Sequence, residues 1–155
     1  MKKTSSRPRR RPQSGFMLLE VLVAILIFAI GVLSLVGLQV ASIKESTQAK
    51  YRADATLLAN DLISRMWVTD RSFATIDAQF DSAGPGAAYT AWLPAVQAAL
   101  PGSAATPPVV TVESVAGGGA AGTPSSRVTL TLSWKAPTEP VADPPHNLTV
   151  VTQIK

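Results

Sequence analysis

A chain of 155 residues, 46% of them apolar and 15% charged, has material for one modest domain. Its formal charge of +4 is uneven: Met1 to Gly15 holds Lys2, Lys3, Arg7, Arg9, Arg10 and Arg11 and no acid, while the 8 basic and 10 acidic residues beyond leave the remainder at −2. A nucleic-acid reading from bulk charge loses its basis once that segment is set apart, so no nucleic-acid partner is expected. The absence of cysteine excludes disulfides, thiol catalysis and cysteine-ligated metal.

Residues 1–15 have the basic n-region chemistry of an export signal, which keeps this end cytoplasmic and sends the rest across. An ordinary secretory signal fits poorly. The apolar region behind it is about twice the usual length, and no small-x-small cleavage site of the usual form follows Leu38. Topology bias explains Arg9-Arg10-Arg11 without a further role.

Residues 16–38 are predicted to form a membrane-spanning helix. Leu, Ile, Val and Phe dominate, no charge occurs between Val21 and Leu38, and 23 helical residues span about 34 Å, the thickness of a bilayer core. Gly31, Ser34 and Gly37 recur at steps of three near one face. They permit close helix–helix packing or give a looser, bendable segment, and both readings stay open. Glu20 is the discordant residue. At the cytoplasmic interface its carboxylate can stay wet, which explains how a monomer tolerates it but not why it is there. A cut between Gly15 and Phe16 would create an amine one helical turn away, and out of water a carboxylate beside a neighbour's amine is paired rather than costly.

Gly15-Phe16-x-x-x-Glu20, with a short basic leader before it and an apolar helix after it, resembles the type III signal of type IV prepilins and type II secretion pseudopilins. That resemblance implies cleavage after Gly15 by a prepilin peptidase, methylation of the new N-terminal Phe16, and a role for Glu20 in recruitment to a filament. Major pilins often carry proline where Gly37 stands. Glu20-Val21-Leu22-Val23-Ala24, Ala29-Ile30-Gly31-Val32-Leu33, Gly37-Leu38-Gln39 and Ala59-Asn60-Asp61-Leu62-Ile63-Ser64-Arg65-Met66 are similar to the PilV group of minor pilins. The expected fold is α+β, the type IV pilin fold: a long N-terminal helix packed on a small antiparallel sheet of about three or four strands.

Residues 39–68 continue the helix without proline. Ile43, Thr47, Tyr51, Ala55, Leu58, Leu62 and Met66 make one apolar stripe expected to bury against the sheet. Asp61 and Arg65 form an i,i+4 pair. In the connecting region, 69–108, Phe73, Ile76 and Phe80 suggest a short helical turn, Ser82 to Gly86 a break, and Trp92 to Leu100 a short helix with Pro94 in its first turn. The pilin resemblance implies that this region is exposed. Asp70, Asp77 and Asp81 lack calcium-loop spacing and are read as solvated.

Residues 109–155 are expected to form an antiparallel meander from Val109–Ser114, Arg127–Trp134 and Leu148–Ile154. Val128, Leu130, Leu132 and Trp134 share the core face. Ala116 to Gly122 reads as a flexible loop, and Pro137, Pro140, Pro144 and Pro145 bar a second loop from the ladder. His146 reads as a solvated loop residue. No nucleophile–base pair, phosphate loop or carboxylate dyad occurs, so no enzyme, cofactor or metal is expected. The functions in view are a minor pilin, a minor pseudopilin of type II secretion, and a single-pass membrane protein binding a periplasmic ligand. For a pilin the expected partners are the peptidase, other major and minor pilins, the inner-membrane assembly platform and the membrane. The expected location is the inner membrane, then the pilus.

Overall fold

The computed structural model describes residues 14–117, 122 and 124–155, with side chains from Phe16 onward. Residues 1–13 of the leader therefore lie outside the described residues, as does most of the glycine-rich loop. Helix α1 runs Ser14–Val68, 55 residues without a proline, and ends at the expected boundary. The chain divides into two compact units, Met1–Lys44 and Glu45–Lys155, so the division falls six residues beyond Leu38.

In the first unit, every side chain from Phe16 to Lys44 is exposed. Leu, Ile, Val and Phe occur all round this part of the helix rather than along one stripe, so no rotation of it hides them. Such a helix needs lipid or other helices as its solvent.

The second unit builds its core on the rest of α1. Ala55, Ala59, Leu62 and Met66 are buried along one face, and Tyr51, Leu58 and Ile63 flank them half-buried. The stripe differs from the expected one at both ends of the size scale. Ile43 belongs to the first unit and is 66% exposed. Ala59, one turn beyond Ala55, lies on the buried face although the expected stripe omits it.

The connecting region is not an exposed tract: it supplies the middle of the core. Helix α2 (Phe73–Phe80) buries Ile76 and Phe80, and α3 (Ala87–Ala99) buries Tyr89, Trp92 and Val96. Helix α3 starts five residues before Trp92. The Gly86 carbonyl accepts from both Thr90 N–H and Thr90 Oγ1 at 2.9 Å, which opens the helix at Ala87 and leaves Pro94 in its interior instead of its first turn. Pro94 is exposed, so its missing N–H falls on the solvent side. Trp92 Nε1–H donates to the Leu58 carbonyl at 3.2 Å, tying α3 to α1. Tyr89 donates its hydroxyl to the Pro108 carbonyl at 2.8 Å, tying α3 to the start of the sheet.

Strands β1 (Val109–Val115), β2 (Ser125–Trp134) and β3 (His146–Ile154) form the expected antiparallel meander in the order β1-β2-β3. The register pairs Val112 with Val128, Leu130 with Val150, and Leu132 with Leu148. Val128, Leu130, Leu132 and Trp134 share the buried face, as their alternation predicts. Each fully buried Leu, Ile, Val or Met stabilises by about 1.5–3 kcal/mol relative to exposure. The result is an α+β fold in which the long helix packs its second part on a three-stranded antiparallel sheet.

Candidate assembly segment

Gly15 lies in the helical backbone of α1, and Phe16 and Glu20 are four residues apart on it, about 6 Å along the axis. Both side chains are exposed, Phe16 by 79%. The residues behind them, from Val21 to Leu38, contain no charged group that could answer Glu20. A carboxylate in that position has its charge partner outside the helix or stays hydrated.

A side chain added at Gly31 or Gly37 would meet nothing, so each leaves a notch in the helix surface. Ser34 returns its hydroxyl to the Ile30 carbonyl at 2.9 Å, which satisfies it without water. A hydroxyl bound in this way can face lipid or a neighbouring helix at little cost. The three positions recur at steps of three on α1, and all are exposed.

The second unit carries a polar cluster that sequence reasoning missed. His146 is exposed, as expected, but it is the first residue of β3 rather than a loop residue. Its Nε2 lies 2.8 Å from Glu139 Oε1, and its ring stacks on Trp134 at 6.0 Å and 21°. Gln48 on α1 donates its amide to the same Glu139 oxygen and accepts from Trp134 Nε1–H at 3.1 Å. Glu139 Oε2 accepts from the Ala136 N–H. Burial pushes the Glu139 carboxyl up; the His146 hydrogen bond, the Ala136 N–H and the nearby positive charges outweigh it and hold the carboxyl below its usual value. Beside this cluster a groove of about 430 Å³ is lined by Glu45, Gln48, Ala49, Arg52, Trp134 and His146.

Two of the acids read as solvated, Asp70 and Asp81, also hold local hydrogen bonds. Asp70 accepts from the Ser72 N–H and from the Thr75 and Ser72 hydroxyls, which lowers its carboxyl below the usual range and organises the entry to α2. Asp81 accepts from Ala83 N–H at 2.7 Å and Val112 N–H at 3.1 Å. Among the described residues no group of three or more His, Cys, Asp or Glu could hold a metal. The expected Asp61–Arg65 pair is formed at 3.0 Å.

The fold and the N-terminal helix together define an α+β protein with, among the described residues, one helix long and apolar enough to cross a membrane. The prokaryotic N-terminal methylation motif matches residues 10–36, the stretch that holds Gly15, Phe16 and Glu20. The chain thus carries the N-terminal signal of type IV prepilin-like proteins, and that motif implies processing by a prepilin peptidase and association with pilin assembly machinery at a membrane. No curated protein and no solved structure matches the chain.

Proposed function

We propose that this protein is a minor type IV pilin of the PilV kind, a structural subunit without enzymatic activity that helps prime or decorate a pilus serving twitching or adhesion. The observation that carries the reading is the methylation motif at the head of an apolar helix whose side chains are all exposed. A prepilin peptidase cuts between Gly15 and Phe16, and Phe16 receives the N-methyl group. The protein waits as a single-pass protein in the inner membrane, with its leader cytoplasmic and its C-terminus periplasmic. It then leaves for the filament through α1.

Glu20 directs that transfer. In a low-dielectric environment its carboxylate is costly alone and favourable beside the amine of a neighbouring subunit. Gly31, Ser34 and Gly37 let a neighbouring pilin helix approach the notched face. Neither a cofactor nor nucleic acid has a part in this reading.

Sequencing of the mature N-terminus tests the processing step: N-methyl-phenylalanine is expected, and an N-terminus at Met1 or beyond Leu38 overturns it. Glu20→Ala is expected to leave cleavage intact and to deplete the protein from sheared filaments. Undiminished incorporation would rule out the charge-pairing account. Deletion is expected to impair pili and twitching; loss of protein secretion instead selects a type II secretion pseudopilin.

A further inference from the structure

The two edges of the sheet are treated differently. The outer edge of β1 is closed by the turn between α2 and α3. Ser82 N–H donates to the Val110 carbonyl at 3.0 Å, Val110 N–H donates to Ser82 Oγ at 3.0 Å, and Val112 N–H donates to Asp81 Oδ2 at 3.1 Å. Polar side chains here occupy the positions a further strand would need.

Strand β3 has no such cover among the described residues. The ladder fixes which of its groups point outward. Val110 and Val112 aim their N–H groups away from β2, so Val109, Thr111, Glu113 and Val115 are the β1 residues bonded to β2. Their partners in β2 are Thr131, Thr129, Arg127 and Ser125, and the alternate residues of β2 turn to β3. Those pair with His146, Leu148, Val150, Thr152 and Ile154. The N–H and C=O groups of Asn147, Thr149, Val151 and Gln153 therefore face away from the sheet, and no described backbone group bonds to them. Sheet proteins guard such an edge with lysine, proline, a bulge or a covering loop. Residues 146–154, His-Asn-Leu-Thr-Val-Val-Thr-Gln-Ile, contain no Asp, Glu, Lys, Arg, Pro or Gly.

We infer that the outer edge of β3 is a strand-addition site for an extended, uncharged segment of another polypeptide. The row of alternating donors and acceptors specifies an extended backbone as its complement, since only that spacing meets all four residues. The uncharged strand gives a charged segment nothing to pair with and would desolvate its charges. A second copy of this chain cannot present β1 here, because Asp81 and Ser82 occupy that edge. The inference rests on the sheet alone and survives failure of the pilus reading.

Backbone amide hydrogen exchange on the full chain in detergent tests it, with an end-blocked, uncharged synthetic peptide of the β2 sequence, Val128–Trp134, as the probe. That peptide carries the pattern that β3 already accepts on its inner side. The amides of Asn147, Thr149, Val151 and Gln153 are expected to slow about tenfold at roughly ten times the peptide's dissociation constant. Those of Val110 and Val112 should not change. Val151→Pro removes an outward N–H and spares the bonds to β2, so it should abolish the slowing while the unfolding temperature stays near that of the wild type. Val150→Pro removes an inward N–H and should unfold the sheet. Exchange unaffected by saturating peptide, slowing that persists in Val151→Pro, or protection of the four amides before peptide is added would each overturn the proposal. Protection that rises with the protein's own concentration would also overturn it, by making a second copy the occupant.

Discussion

Trp134 and His146 are register partners at the end of the β2–β3 ladder, and their rings stack with planes 21° apart. Glu139 clasps the pair from the loop that joins the two strands, and Gln48 reaches it from α1. The clasp predicts an acid-sensitive contribution to stability. The folded Glu139 carboxyl is held below its unfolded value, so the contribution is complete above the unfolded pKa and disappears as the pH falls through the folded one. The unfolding temperature of wild type should fall further between neutral and acidic pH than that of Glu139→Gln. Equal falls, followed by circular dichroism of the full chain in detergent, would refute the clasp.

Leu57 and Leu62 lie on the same helix and in opposite environments. Leu62 is fully buried in the core, whereas Leu57 is 68% exposed. Leu62→Ala is expected to destabilise by about 2–5 kcal/mol through lost transfer energy and a residual cavity. Leu57→Ala should stay within about 0.5 kcal/mol of wild type. Denaturant midpoints of the two variants test the contrast.

Gly86 is required by contact rather than by an unusual backbone angle. A Cβ there would lie 2.3 Å from the Gln79 carbonyl oxygen and 2.4 Å from that of Ala78. Gly86→Ala must push α3 away from the end of α2, at a cost of about 1–3 kcal/mol or more. Gly84→Ala, with open space around the same atom, serves as its control. Thermal melts of both are expected to show a drop only for the former.

Ser126 is fully buried, and its hydroxyl has no hydrogen-bond partner among the described residues. An unsatisfied buried polar group costs about 1–3 kcal/mol. Ser126→Ala should therefore raise the unfolding temperature, an outcome opposite to that of the other core substitutions.

The anchor and the sheet were legible in the sequence because each repeats one simple signal. Residues 16–38 are apolar without interruption, and Val128, Leu130, Leu132 and Trp134 alternate without a break. Gly15, Phe16 and Glu20 were legible as a spacing, and the methylation motif falls on the same residues. The remainder depended on contacts between distant positions. Gln48 and Glu139 are 91 residues apart, so nothing near His146 announces its partners. Ala59 carries too little apolar surface to stand out in a stripe, although it is buried in the core. Pro94 resembled a helix start because proline is favoured there, while the true start at Gly86 rests on a carbonyl that Thr90 happens to answer twice. Asp81 looked like surface charge because its partner, Val112, lies on a strand 31 residues later.

The closed edge of β1 has a further consequence once many copies share one membrane. Tethering confines these units to a thin layer and raises their effective concentration far above that of the same number free in solution. Two bare sheet edges per molecule would then seed runaway zippering, the route by which crowded β-proteins aggregate. With Asp81 and Ser82 blocking one edge, growth of any such stack stops after a single junction. Two short polar side chains would thus limit edge-to-edge association of tethered copies.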